Sequence, residues 1–254
     1  GRDHARMMLA TIAERRGDYA AAEKLLAAID SPERALSVQA RRAQMLARQG
    51  RLEEARQAIR EVPERSPDDA RLKLLAEAQL LRDNGQSQRA YDLLSEELKK
   101  TPDEESLVYD AAMAAERAGH LDIMEGLLRH LIKLNPDASH AYNALGYSLA
   151  DRNERLPEAR TLIERAVQLP PDDAYIQDSL AWVHFRMGNL REARRILEAA
   201  YKKRPDAEIA AHLGEVLWTL GDREGARRMW REGVRLDADN ETLTKTLKRF
   251  RVTP

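Results

Sequence analysis

The segment Gly146-Tyr147-Ser148-Leu149-Ala150 has the outline of a nucleophile elbow, in which a serine hydroxyl is presented on a tight turn between a strand and a helix. That chemistry needs a strand before the motif and a second glycine two residues after the serine. Ala150 holds the second slot, and the run around it has helical spacing. Six histidines stand at positions 4, 120, 130, 140, 184 and 212. None is paired with another at i, i+4 around a helical glutamate, so zinc chemistry is not expected. His184 falls at a position used for packing between helices and is expected in the core. The chain has no cysteine, which removes disulfides, thiolate metal sites and a cysteine nucleophile. No glycine-rich phosphate loop is present. Asn240-Glu241-Thr242 matches a glycosylation sequon, a triplet common by chance. The expectation is a protein with no catalytic residue, no metal and no cofactor.

Composition narrows the class further. The 254 residues carry 42 Lys+Arg and 43 Asp+Glu, a formal net charge of −1. Near-neutrality gives no global attraction for nucleic acid. The longest stretch without a charged residue runs from Ala138 to Ala150, well short of the ~20 apolar residues of a membrane-spanning helix. The absence of cysteine fits an oxidising compartment slightly better than the cytosol. The chain starts with Gly and shows no signal peptide, so it reads as a processed or cut piece of a longer protein.

The elements that must position any functional side chain follow from one period. Gly recurs at 17, 50, 85, 119, 188 and 221, and Asn153 fills the missing slot; the spacings are 33, 35, 34, 34, 35 and 33. Five residues later stands a small residue at Ala22, Ala55, Ala90, Ala193 and Ala226, with Met124 in that slot once and Ala159 one residue late. Pro recurs at 32, 67, 102, 136, 170/171 and 205. Each unit reads as two helices. In one, Leu180, Ala181 and His184 share a face, Met187-Gly188-Asn189 turns the chain, and Leu190, Ala193, Ile196, Leu197 and Ala200 form a second apolar stripe. A single pair cannot bury its own stripe, whereas stacked pairs can.

This grid resembles the tetratricopeptide repeat. The resemblance implies an all-α, helix-turn-helix solenoid wound as a right-handed superhelix. Seven repeats are placed over residues 3–240, starting near 3, 36, 71, 105, 139, 174 and 207. Glu77 and Arg42 stand where a core Leu is usual, and the unit from 139 has an extra residue around Asn153–Pro157. Residues 241–254 break the period. Leu243, Leu247 and Phe250 at i, i+4, i+7 predict a C-terminal capping helix after Asp239 or Asn240, with Lys245, Lys248, Arg249 and Arg251 in water. At the other end Met7, Met8, Leu9 and Ile12 form an apolar edge, expected to meet upstream repeats or a partner.

In this fold the first helix of each repeat lines a concave groove. The corresponding positions make up about a sixth of the chain, yet they hold six of the twelve aromatic residues: Tyr109, Tyr147, Tyr175, Trp182, Phe185 and Trp218. Met113, His140, Asn143, Asp178, Ser179, His212 and Glu215 share that surface, while Tyr19, Tyr142 and Trp230 occupy core positions. Aromatic anchors dominate binding hot spots because they offer large area with few rotors to freeze. The expected partner is a protein or peptide held in the groove. The Lys/Asn clamp for a terminal carboxylate is missing, since Tyr109, Met113, Ala144, Tyr175 and Ser179 hold its positions. Residues 105–173 carry 7 basic and 12 acidic side chains, whereas 174–206 carry 7 basic and 4 acidic. The simplest reading is solvated outer faces laced with ion pairs. The alternative makes Arg191, Arg194, Arg195, Lys202, Lys203 and Arg204 a docking patch for an acidic partner.

The runs NALGYSLADR (143–152), DSLAWV (178–183) and AAHLGEVLW (210–218) resemble the end of long proteobacterial tetratricopeptide lipoproteins. Ala181 departs from the Gly usual there. The resemblance implies a periplasmic, outer-membrane-anchored adaptor that presents substrates such as cell-wall hydrolases to a C-terminal processing protease, with the lipid anchor outside this segment. A cytoplasmic location is the alternative. The alternative function is a helper of polysaccharide assembly or secretion whose aromatic groove contacts glycan.

Overall fold

In a computed structural model, residues 1–170 and 172–254 are described; Pro171, half of the expected 170/171 marker, lies outside them. Among the described residues there are fifteen α-helices and no strand. They are α1 (Arg2–Arg15), α2 (Tyr19–Ala27), α3 (Ala35–Arg48), α4 (Leu52–Arg60), α5 (Pro67–Asp83), α6 (Ser87–Lys100), α7 (Glu105–Arg117), α8 (Leu121–Leu134), α9 (Ser139–Asp151), α10 (Leu156–Gln168), α11 (Ala174–Arg186), α12 (Leu190–Lys203), α13 (Ala207–Thr219), α14 (Arg223–Asp237) and α15 (Glu241–Phe250), with a short 3₁₀ turn at Pro32–Arg34. No described helix is long and apolar enough to cross a membrane. The chain forms two compact units, Gly1–Leu127 and Leu128–Pro254.

The pairing α11/α12 shows why the sequence folds this way. Asp173 caps α11 by accepting a hydrogen bond from the Tyr175 N–H at 2.8 Å. The helix ends where Gly188 takes a left-handed φ of +86°, and the Asn189 N–H returns to the His184 carbonyl at 2.8 Å. The other grid glycines have the same left-handed backbone, and Asn153 adopts it without glycine at φ 57°. Every residue of the small-residue grid, from Ala22 to Ala226 and including Met124 and Ala159, is fully buried. Each buried Leu or Ile around them contributes about 1.5–3 kcal/mol.

A second small-residue row lets the paired helices approach. Ala10, Ala43, Ala78 and Ala112 occupy it in the first unit, and Gly146, Ala181 and Gly214 in the second, all buried. At Gly214 the approach is closest: a Cβ would lie 2.1 Å from Trp230 Nε1. Trp230 is fully buried there and donates to the Ala211 carbonyl at 3.2 Å.

Within the first unit, α5 begins at Pro67 rather than near 71. Pro67 takes the first helical position, where it loses no hydrogen bond. A capping box between Ser66 and Asp69 fixes that start. Glu77 is buried, and its carboxylate accepts from Arg56 at 3.0 Å and pairs with Arg60 at 2.6 Å, so two guanidiniums replace the usual apolar contact. Arg42 reaches Glu23 and Gln39 in the same manner. Met8, Leu9 and Ile12 are exposed on α1.

In the second unit α9, α11, α13 and α15 pack side by side, and α10, α12 and α14 each pack on the first helix of its own pair. Tyr142 departs from the expected core: it is half-buried, and its hydroxyl donates to the Pro136 carbonyl at 2.9 Å. Asn240 caps α15 through the Leu243 N–H at 2.9 Å, and Leu243 is fully buried. Arg249 does not simply face water. It makes two hydrogen bonds, 3.0 and 2.5 Å, to the buried carboxylate of Glu215 on α13. Thr242 adds a 2.7 Å bond to Glu208.

Candidate functional site

The expected groove residues separate into two groups. Tyr109 and Met113 are half-buried on α7 in the first unit. The remaining eleven lie in the second unit on α9, α11 and α13. There the structure corrects four expectations: Asp178, Trp182, His212 and Glu215 are buried, with exposures of 3%, 2%, 1% and 6%. Ser179 is buried as well and donates back to the Tyr175 carbonyl at 3.1 Å. These side chains fill the seams between neighbouring first helices. Position along a helix selects a face, and the next helix decides whether that face is covered.

The buried members form one connected network. Asp178 on α11 and His212 on α13 are 2.8 Å apart, the His212 Nδ1–H donating to the carboxylate. His212 Nε2 lies 3.2 Å from the Tyr147 hydroxyl on α9. Trp182 stacks on His212 with centroids 4.1 Å apart and on Phe185 at 4.7 Å. The Trp182 Nε1–H donates to Asp151 at 3.1 Å. The Arg186 guanidinium sits 5.0 Å over the Trp182 ring and donates to the Asp151 carbonyl at 2.9 Å. Three helices are thereby tied through polar groups at fixed register.

Serine-type triads place Asp, His and a hydroxyl in the same order, but the electrostatics here differ. Burial pulls the His212 pKa down, and the Asp178 charge and hydrogen bond overcome it, holding the imidazole up at about 9. Burial pushes the Asp178 carboxyl up against the pull of His212. A single charged pair, with the proton on His212, accounts for the geometry. An imidazolium already protonated at neutral pH cannot accept a proton from the Tyr147 hydroxyl. The arrangement is a cross-tie. Among the described residues no group of three or more His, Cys, Asp or Glu side chains could hold a metal ion.

What stays accessible is narrower than expected. His140 is exposed, while Asn143, Tyr147, Tyr175 and Phe185 are half-buried. Tyr147 lies on the buried network by its hydroxyl and Phe185 by its ring. Tyr175 turns to the next repeat, its hydroxyl donating to Asp206 at 2.8 Å under the Arg204 guanidinium at 4.8 Å. Burial and then the Asp206 bond raise its pKa. Trp218 points toward α14 and α15, stacked on Trp230 at 5.6 Å and tilted against Phe250 at 5.5 Å. His184 is half-buried and accepts from the Asn189 side-chain amide at 3.2 Å, and burial lowers its pKa.

Of the alternative docking patch along and just after α12, three of the six charges are paired locally. Arg194 pairs with Glu198, Arg195 with Glu192, and Lys203 with Asp172. For Arg194 and Arg195 the i, i+4 and i, i+3 spacing to glutamate already points to the pairing in the sequence; the Lys203–Asp172 pair spans 31 residues and has no such signal.

Comparison with known proteins places this architecture. A family model described as Tetratricopeptide repeat matches residues 5–70, 109–174 and 179–241. The chain is 40% identical over 213 residues to the TPR repeat-containing protein PA4667 of Pseudomonas aeruginosa, a match covering 84% of this chain and 36% of that relative. The chain therefore spans about a third of that relative's length. Among solved structures, a tetratricopeptide repeat protein from Parabacteroides merdae aligns over 99% of both chains with a TM-score of 0.69 at 16% identity. The Thermus thermophilus TPR protein TTC0263 aligns over 71% of this chain and 99% of its own with a TM-score of 0.63 at 18% identity. At such identities these two likenesses concern the fold.

Proposed function

Because the chain belongs to the tetratricopeptide repeat family, a fold that serves as a protein–protein interaction scaffold, we propose that it works as a non-catalytic adaptor binding a protein segment along α9 and α11. The observation that carries this reading is the network under Tyr147 and Phe185. Two half-buried rings rest on a buried stack of Trp182 and His212, so they are held in place before any partner arrives. Pre-organised aromatic contacts lose little entropy on binding. His140 and Asn143 on α9 supply polar contacts beside them.

The finer reading is an adaptor of the periplasm, anchored at the outer membrane through a part of the protein outside this segment, which brings substrates to a processing protease. Its support is the resemblance of the runs 143–152, 178–183 and 210–218 to the end of long proteobacterial tetratricopeptide lipoproteins. Fold by itself does not assign a partner. The test is affinity purification of the full-length protein from its host after cross-linking. A periplasmic protease recovered with its substrates, and lost when Tyr147 and Phe185 are replaced, supports the reading. Recovery of envelope glycan in place of protein, or equal recovery with the variant, overturns it.

A further inference from the structure

On α10 and α12 an arginine pairs with a glutamate four residues further on, and α14 departs from that pattern. Arg160 pairs with Glu164 on α10, and Arg194 with Glu198 on α12. On α14 the same spacing holds Arg223, Arg227 and Arg231 in succession. All three are exposed, as is Arg228. Among the described residues none of these four takes part in an ion pair or a side-chain hydrogen bond; Arg235, further along, pairs with Glu232. The opposite face of α14 is committed to the core through Gly225, Ala226, Trp230 and Gly233. Like charges four residues apart repel and cost stability, so the row is a feature that folding does not call for.

The first two guanidiniums are also held in position. Arg223 lies 4.6 Å and Arg227 5.9 Å from the Trp218 ring centroid. Trp218 is itself fixed against Trp230 and Phe250. Stacking uses the flat face of a guanidinium and leaves its edge N–H donors free for an oxygen ligand. The residues of the row are about 6 Å apart along the helix. Alternate residues of an extended chain are separated by about 6.6 Å, so carboxylates at every second position of a peptide match the row.

We propose that the Arg223–Arg227–Arg231 row of α14 is a docking surface for an extended acidic segment of a protein partner, with carboxylates at alternate positions. Glu224, Glu232 and Asp237 flank the row on the same helix. They leave a narrow basic strip, which suits a single peptide and disfavours the broad phosphate field of a nucleic acid or an anionic membrane. The surface is distinct from the α9–α11 face, and the proposal stands or falls independently of that face.

The test uses a fluorescein-labelled twelve-residue peptide of alternating Glu and Ser, titrated with the chain at low salt and followed by anisotropy. The expected result is saturable binding that weakens with salt and drops at least about tenfold in the Arg223→Ala/Arg227→Ala/Arg231→Ala variant. The paired substitutions Arg191→Ala and Lys202→Ala on α12 should leave it unchanged. Circular dichroism and melting of both variants confirm folding. Equal binding by all three proteins overturns the proposal. So does tighter binding to phosphatidylglycerol vesicles or to a twelve-nucleotide single strand than to the peptide.

Discussion

Trp182 and His212 lie face to face across two adjacent helices, their ring centroids 4.1 Å apart and their planes 26° from parallel. The indole thus serves as packing for a charged imidazole rather than as an open anchor. Trp182→Ala removes the stack, the hydrogen bond to Asp151 and the contact with Phe185 together. Truncating a buried tryptophan costs about 3–5 kcal/mol. Urea unfolding should show a loss of that size; a loss below ~1 kcal/mol would mean the ring is not part of the core.

The Asp178–His212 pair makes stability depend on pH in a defined sense. The folded His212 pKa is about 9 against an ordinary value near 6.5. Its contribution is fully present below about 6.5 and is lost as pH rises through about 9. Stability should therefore fall toward alkaline pH by on the order of 2 kcal/mol, the scale of a charge-assisted hydrogen bond. His212→Gln should be less stable at pH 6 and show a flatter profile between pH 6.5 and 9.5. Parallel profiles for the two proteins would count against the ion pair.

Gly214 offers a test by sign. Replacing glycine with alanine inside a helix ordinarily gains roughly 0.5–1 kcal/mol. Here the new methyl would meet Trp230, so Gly214→Ala should instead destabilise by about 1–3 kcal/mol. A higher melting temperature for this variant would mean that α13 and α14 are not packed at this distance.

The proposed binding face is tested at its two accessible rings. Phe185→Ala combined with Tyr147→Ala should keep the helical content and weaken capture of the partner by at least about tenfold, 1.4 kcal/mol. The conservative pair Phe185→Leu and Tyr147→Phe should retain most of the affinity. Loss in the conservative pair alone, or in neither, would argue that the rings are structural.

What the sequence determined by itself was the repeat. Glycine at the left-handed turn and a small residue where helices cross are local requirements, so Gly188 and Ala193 announce the hairpin without knowledge of any neighbour. The cap at Asn240 and the terminal helix were legible for the same reason. The register of α5 was shifted and obscured by side-chain chemistry that spacing does not show: the Ser66–Asp69 box moved its start to Pro67, and two arginines made Glu77 acceptable inside. Tertiary structure alone decided which first-helix residues meet solvent. Asp178, His212 and Glu215 share the expected surface by periodicity. Each is instead consumed by a partner about one repeat away: Asp178 and His212 by one another, and Glu215 by Arg249. A helical period fixes the direction of a side chain about its own axis. Only the helix packed beside it determines whether that direction ends in water or in a neighbour.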